Sequence, residues 1–122
     1  MNKVKTINIA LIGYGFVGKT FHAPLIQSVD GLKLAVVSSR DEEKVKRDLP
    51  DVLVVATPEE AILHPDIDLV VIASPNATHA PLATMALNAG KHVVVDKPFT
   101  LDMQEARDLI ALAQEKQRLL SV

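Results

Sequence analysis

The sequence has no cysteine and no tryptophan, and only four of its 122 residues are Tyr or Phe. Without cysteine it has no disulfide, thiolate nucleophile or cysteine-based metal site. The aromatic residues are too few for a base-stacking surface, and thirteen basic against fifteen acidic residues leave a formal charge of −2, so we expect no nucleic-acid partner. No apolar run approaches the roughly 18 residues of a spanning helix. We therefore expect no membrane partner and a cytoplasmic protein.

Short apolar segments alternate with helix-like segments along the whole chain. The apolar segments are rich in Val, Ile and Leu and barely alternate, as strands covered on both faces should. This rhythm predicts an α/β fold, a doubly wound parallel Rossmann sheet in the order 3-2-1-4-5-6, as a single three-layer domain over residues 1–122. The predicted strands are Ile7–Ile12, Leu32–Val37, Val52–Val55, Leu69–Ala73, His92–Val95 and one starting at Leu119. The predicted helices are Gly15–Ser28, Asp41–Asp48, Glu59–Leu63, Thr78–Asn88 (ended by Gly90) and Asp102–Lys116 (capped by Thr100 or Asp102).

Three of the five glycines form the motif Gly13-Tyr14-Gly15-Phe16-Val17-Gly18, directly after the first strand and at a helix start. This is the G-x-G-x-x-G pattern in its dinucleotide-binding context. Gly13 can make the tight turn, Gly15 lets the backbone approach a pyrophosphate, and Gly18 allows close packing of helix and strand. The helix N-terminus would offer free N–H groups to the phosphates. The motif therefore predicts cofactor contacts at Gly13, Gly15, Phe16, Val17 and Gly18.

The same motif, continued through Lys19-Thr20, also satisfies the P-loop pattern G-x-x-x-x-G-K-[ST]. The apolar segment ending in Asp96 could supply the acidic residue that supports Mg²⁺. However, Phe16 and Val17 are bulky where a P-loop needs small residues, and a P-loop leaves Gly15 unexplained. Dinucleotide binding is the favoured interpretation. A nucleotide hydrolase, and a glycine turn without any ligand, remain as alternatives.

The second predicted strand leads into Ser38-Ser39-Arg40, where an NAD site would carry Asp or Glu. A carboxylate there would bond the ribose 2′-hydroxyl and repel a 2′-phosphate, whereas Arg40 can offer a planar set of donors to a phosphate. Asp41 is expected to cap the following helix. The segment therefore favours NADP(H) over NAD(H), with Ser38, Ser39 and Arg40 as ligands; a plain surface charge is the alternative for Arg40.

Polar residues also follow the fourth and fifth predicted strands, whose carboxyl ends should face the cofactor. Asn76 or Thr78 could instead cap a helix, and His79 could be structural. Lys97 could bond a substrate hydroxyl and the nicotinamide ribose or transfer a proton, although a surface lysine is the simpler alternative. His22 and His64 have no partner at metal-ligand spacing, so we assign them no role and expect no metal. The cofactor-binding candidates here are Ser74, Pro75, Asn76, His79, Asp96 and Lys97, and Lys97 is also the catalytic candidate.

Three segments, Ile7–Gly15, Ala73–Asn76 with His79, and Gly90–Pro98, resemble the Gfo/Idh/MocA oxidoreductases, named for glucose-fructose oxidoreductase and inositol dehydrogenase. The resemblance covers the whole chain, and the ordered set of three motifs is specific. The segment Phe21–Leu25 resembles a subgroup near the NADP-dependent scyllo-inositol dehydrogenases. The family's usual Glu-Lys-Pro triplet has Asp96 here, a carboxylate shorter by one methylene. The resemblance implies that Lys97 is the active-site lysine and that the Lys97–Pro98 bond can be cis.

The resemblance also implies the reaction, a hydride transfer between NADP(H) and a hydroxyl-bearing carbon of a sugar, polyol or cyclitol. Family members carry a second, mainly antiparallel domain with most of the substrate site, and nothing in this chain resembles that domain. We therefore expect a cofactor-binding half that binds a nicotinamide dinucleotide, meets a small polyol or sugar only with the missing domain, and is inactive alone. It could form a homo-oligomer. A stand-alone NADP(H)-sensing or partner-binding module is the alternative.

Overall fold

A computed structural model describes residues 6–15, 22–74, 78–96 and 103–121. The strands are β1 (Ile7–Ile12), β2 (Leu32–Ser38), β3 (Leu53–Val55), β4 (Leu69–Ile72), β5 (His92–Val95) and β6 (Leu120–Ser121). They form one six-stranded sheet in the order β3-β2-β1-β4-β5-β6, and each neighbouring pair is parallel. The predicted Rossmann topology is confirmed.

The helices are α1 (Ala23–Ser28), α2 (Glu42–Asp48), α3 (Pro58–Ile62), α4 (His79–Asn88) and α5 (Met103–Lys116). Asp41 caps α2 as predicted, because its Oδ1 accepts a hydrogen bond from the Lys44 backbone N–H at 3.1 Å. Gly90 follows α4 with φ +81°, the left-handed conformation expected after a helix end. The prediction that the first helix begins at Gly15 is wrong at that residue, which lies in a bend where the chain is still turning out of β1. The predicted caps Thr100 and Asp102 lie outside the described residues.

The sheet is covered on both faces by two separate apolar clusters. Side chains along β1 alternate between them: Ile9 and Leu11 belong to the cluster under α1 and α2, whereas Ala10 and Ile12 belong to the one under α3, α4 and α5. Since both clusters are buried, the strand has no polar face from Ile9 onward, and residues 9–12 form a continuous apolar run. Fully burying one such side chain contributes about 1.5–3 kcal/mol.

One buried cation anchors the connection between α3 and β4. Lys91 is only 8% exposed, and its Nζ donates hydrogen bonds to the carbonyls of His64 at 3.0 Å and Ile67 at 2.6 Å. These bonds compensate for the loss of water around the ammonium group and satisfy two turn carbonyls. Lys91 therefore has a structural role just before β5.

The strand order reverses between β1 and β4, which are neighbours in the sheet although β2 and β3 separate them in the sequence. The β1 crossover leads through α1 to β2, and the β4 crossover leads through α4 to β5 on the other side. In doubly wound sheets the crevice at this switch point, outside the carboxyl ends of the strands, is where ligands bind. Within the described ranges no helix is long and apolar enough to cross a membrane.

Candidate functional site

An open cleft of about 560 Å³ lies at the carboxyl ends of β1, β2 and β4. A larger groove of about 630 Å³ runs between α4 and α5, away from the strand ends, and its lining includes none of the predicted site residues that the structure describes. The cleft brings together six residues that the sequence predicted to bind the cofactor: Gly13, Gly15, Ser38, Ser39, Arg40 and Ser74. It also contains residues that the sequence analysis did not assign, namely Tyr14, Lys44, Pro58 and Leu82.

Gly13 and Gly15 meet different physical demands within the same turn. Gly13 has φ +93°, and a Cβ there would lie 3.1 Å from the carbonyl oxygen of Ala73. Its N–H donates a hydrogen bond to the Ser38 carbonyl at 3.1 Å, so the chain passes tightly between the ends of β2 and β4. A Cβ on Gly15 would meet no heavy atom within 4 Å. Gly13 therefore makes the turn, and Gly15 borders open space in the cleft.

The end of β2 places hydroxyl and cationic side chains on one wall of the cleft. Ser38 is buried, and the Ser39 Oγ accepts a hydrogen bond from the Asp41 N–H at 3.1 Å. Arg40 is exposed, and the half-buried Lys44, four residues later in the first turn of α2, lines the same cleft. The wall therefore combines two hydroxyls, two cations and the carboxylate of Asp41, which caps α2 and also lines the cleft. Lys44 could have been identified from its place in the first turn of the helix that Asp41 was predicted to cap, close to the end of β2.

Tyr14 connects the glycine turn to α2. It is only 6% exposed, its hydroxyl donates a hydrogen bond to Asp48 Oδ2 at 2.9 Å, and its ring centroid lies 6.0 Å from the Lys44 Nζ. Burial, together with the hydrogen bond and the negative charge of Asp48, raises the pKa of Tyr14 from 10.0 to about 12. Tyr14 therefore stays a neutral donor and fixes the wall that carries Arg40 and Lys44.

His79 supports the segment after β4 through a hydrogen bond to its backbone. This histidine is 1% exposed, and its Nε2 lies 2.8 Å from the Ser74 carbonyl oxygen. Since a carbonyl oxygen only accepts, Nε2 carries the proton. The Ser74 Oγ also lies 2.6 Å from the Thr78 Oγ1. The structure thus places His79 as a support for Ser74, and a direct cofactor contact by His79 stays a prediction.

Asp96 lies at the opposite end of the strand-end row, directly after β5. Its N–H donates a hydrogen bond to the Ile72 carbonyl of β4 at 2.9 Å. Its Oδ1 lies 3.4 Å from the Nε2 of His22, to which the sequence analysis assigned no role. No sequence pattern signals this contact, because the two residues are 74 positions apart. The part of the chain that the structure describes contains no group of three potential metal ligands.

Six of the predicted site residues lie outside the described residues, so their roles stay predictions. These six residues are Phe16, Val17, Gly18, Pro75, Asn76 and Lys97. The cis form of the Lys97–Pro98 bond also stays a prediction, because this bond lies outside the described residues.

A doubly wound sheet with a glycine turn after β1, and with hydroxyl and charged side chains in the cleft at the switch point, defines a nicotinamide dinucleotide-binding Rossmann domain. Comparison with known families agrees: the model of the oxidoreductase family with an NAD-binding Rossmann fold, GFO_IDH_MocA, matches residues 7–122. The chain belongs to the Gfo/Idh/MocA oxidoreductase family.

Individual relatives support the same assignment. The oxidoreductase YdgJ of Escherichia coli is 59% identical over 116 residues, which are 95% of this chain and 34% of YdgJ. The scyllo-inositol 2-dehydrogenase (NADP(+)) IolW of Bacillus subtilis is 40% identical over 120 residues, 98% of this chain and 34% of IolW. The crystal structure of an oxidoreductase from Klebsiella pneumoniae is 86% identical with a TM-score of 0.95, covering 96% of this chain and 34% of that one. This chain therefore spans about a third of the length of these relatives.

Proposed function

We propose that this chain is the NADP(H)-binding domain of an oxidoreductase that transfers a hydride between the nicotinamide and a hydroxyl-bearing carbon of a sugar, polyol or cyclitol. The observation that carries the proposal is the cleft at the switch point, where the turn at Gly13 meets a wall with two cations. The cofactor would supply the redox chemistry, and the protein would bind and orient it. The similarity to IolW, a scyllo-inositol 2-dehydrogenase that uses NADP(+), supports the substrate class.

The preference for NADP(H) is argued from the end of β2. The 2′-phosphate distinguishes NADP from NAD, and it requires donors and positive charge. Arg40 and Lys44 line the same wall as Asp41, whose carboxylate caps α2, so the wall carries two cations and one carboxylate. Charge-assisted hydrogen bonds from a guanidinium to a phosphate are stronger than neutral ones. The wall therefore favours the phosphorylated cofactor, with Ser38 and Ser39 beside the two cations.

The catalytic step is assigned to Lys97, on the resemblance of Asp96-Lys97-Pro98 to the family's triplet. Hydride transfer needs the substrate carbon held close to the nicotinamide, and such positioning can supply roughly 7–11 kcal/mol of the barrier. The matched relatives are about three times as long as this chain, so most of their residues have no counterpart in it. We expect the 122-residue chain to bind NADPH without oxidising inositols or glucose. NADPH production from such a substrate by the purified chain would contradict this expectation.

The cofactor assignment is tested by titrating the chain with NADPH, NADH and ATP with Mg²⁺. We expect NADPH to bind at least tenfold more tightly than NADH, a difference of about 1.4 kcal/mol, and ATP not to compete. Arg40→Ala should bring the two affinities close together. Arg47→Ala is the matched control, because Arg47 lies in the last turn of α2 and outside the cleft lining. An unchanged ratio in Arg40→Ala would refute the role of Arg40, and tight binding of ATP with Mg²⁺ would favour the nucleotide hydrolase.

A further inference from the structure

The contact between His22 and Asp96 joins two elements that lie on opposite sides of the switch point. His22 directly precedes α1, on the crossover that leaves β1, and Asp96 directly follows β5. Between β1 and β5 in the sheet lies β4, so the two residues approach from opposite sides of the reversal in strand order. The imidazole Nε2 lies 3.4 Å from the carboxylate Oδ1, and the side chains are 20% and 32% exposed.

This contact contributes little to stability, but it can orient a side chain. A partly exposed pair at this distance contributes little to stability, because water screens it and its geometry is long. The Asp96 backbone is already fixed, through its N–H bond to the Ile72 carbonyl. What the imidazole adds is a second point of attachment, on the carboxylate itself. His22 thus restricts the direction of the remaining acceptor sites of Asp96.

The position of the pair assigns it to one half of the cofactor. A dinucleotide lies across the switch-point crevice with its adenosine ribose at the end of β2, which here carries Arg40. Its nicotinamide half must then extend toward the ends of β4 and β5, where Asp96 lies. An ionised carboxylate only accepts hydrogen bonds, and this half offers donors in the ribose hydroxyls and the carboxamide N–H groups.

We propose that His22 is a positioning residue for the nicotinamide half of the cofactor and acts through Asp96. The inference rests on the proposed dinucleotide binding and adds to it a residue on the first crossover. His22 does not itself contact the reacting atoms. Its effect is to hold the Asp96 carboxylate so that the nicotinamide ribose or carboxamide can donate to it.

The test compares NADPH with 2′,5′-ADP, which contains the adenosine half and the 2′-phosphate but no nicotinamide. In His22→Ala, NADPH should bind at least roughly fivefold more weakly, and the affinity for 2′,5′-ADP should not change. His22→Gln retains an N–H donor and should recover most of the NADPH affinity. Asp96→Asn should weaken NADPH similarly, and adding His22→Ala to it should cause little further loss. His64→Ala is the histidine control.

Two outcomes would overturn the inference. Unchanged NADPH affinity in His22→Ala would show that the contact has no binding role, and equal weakening of NADPH and 2′,5′-ADP would show a general structural effect. Circular dichroism and thermal midpoints identify variants that do not fold, and the Gln and Asn variants carry the test if His22→Ala is one of them. Failure of the proposed function itself is distinct, since the wild-type chain would then bind neither ligand.

Discussion

Replacing Gly13 by alanine should destabilise the fold by about 2–4 kcal/mol. An L-residue held at φ +93° costs about 1–3 kcal/mol. The new Cβ would also lie 3.1–3.2 Å from backbone atoms of Ala73 and Ser74. These atoms cannot move away freely, because the Ala73 N–H is bonded to the Ile12 carbonyl at 2.9 Å, and such overpacking costs about 1–3 kcal/mol. The lower entropy of the unfolded alanine chain offsets up to about 1 kcal/mol.

Urea unfolding followed by circular dichroism measures this loss. With a slope of about 2 kcal/mol per molar urea, the middle of the usual range, the midpoint of Gly13→Ala should fall by about 1–2 M. The matched control is Gly15→Ala, whose Cβ enters open space and should leave stability within about 0.5 kcal/mol or slightly raised. A Gly13→Ala chain as stable as the wild type, or an equal loss in Gly15→Ala, would refute the reasoning.

Three further changes test the cleft and its support. Gly15→Val should abolish NADPH binding while the circular dichroism spectrum stays native, because the side chain would fill the open space where the pyrophosphate is expected to bind. Retained NADPH affinity would show that Gly15 does not border the binding site. Tyr14, the sole tyrosine, has its pKa raised from 10.0 to about 12, so the free energy of unfolding should fall as the pH rises through this interval. Asp48→Ala should lower the pKa of Tyr14, which an ultraviolet titration of the phenolate measures. Lys91→Met should cost about 2 kcal/mol in urea unfolding, because two turn carbonyls lose their donor; an unchanged midpoint would contradict this.

The fold was predictable because its signals are local. The bounds of β1 and β5 agree with the apolar runs, since both faces of the sheet are covered. The third strand was predicted to start at Val52, but Val52 is buried in a turn with its N–H toward the Leu49 carbonyl, and β3 begins one residue later. Burial and strand pairing are different properties, and an apolar run reports only the first.

Helix α3 shows a local signal that the sequence analysis missed. It was predicted from Glu59 and begins at Pro58, because Thr57 caps it. The Thr57 Oγ1 accepts a hydrogen bond from the Glu60 N–H at 3.3 Å and donates one to the Glu60 carboxylate at 3.1 Å. A threonine, a proline and a glutamate at these positions are a capping signature with proline in the first turn.

The parts of the site that could not be predicted depend on distance through space. The Tyr14–Asp48 hydrogen bond joins residues 34 positions apart, and the His22–Asp96 contact joins residues 74 positions apart. Motifs reveal which residues follow the strands, since parallel strands end at one edge. They do not reveal which side chain on a crossover will contact residues at that edge, because this contact depends on how the crossover helix packs against the sheet.

The brevity of β3 has a consequence for how copies of this chain meet. An edge strand is a template on which another chain can add a strand, and its length sets how many backbone bonds the newcomer can form. At three residues, Leu53–Val55, this edge supports very few, and prolines at positions 50 and 58 flank it closely. Strand addition at this side of the sheet is therefore poorly supported. Although Leu53 is half exposed at this edge, the short strand should not support intermolecular β-sheet formation at high protein concentration.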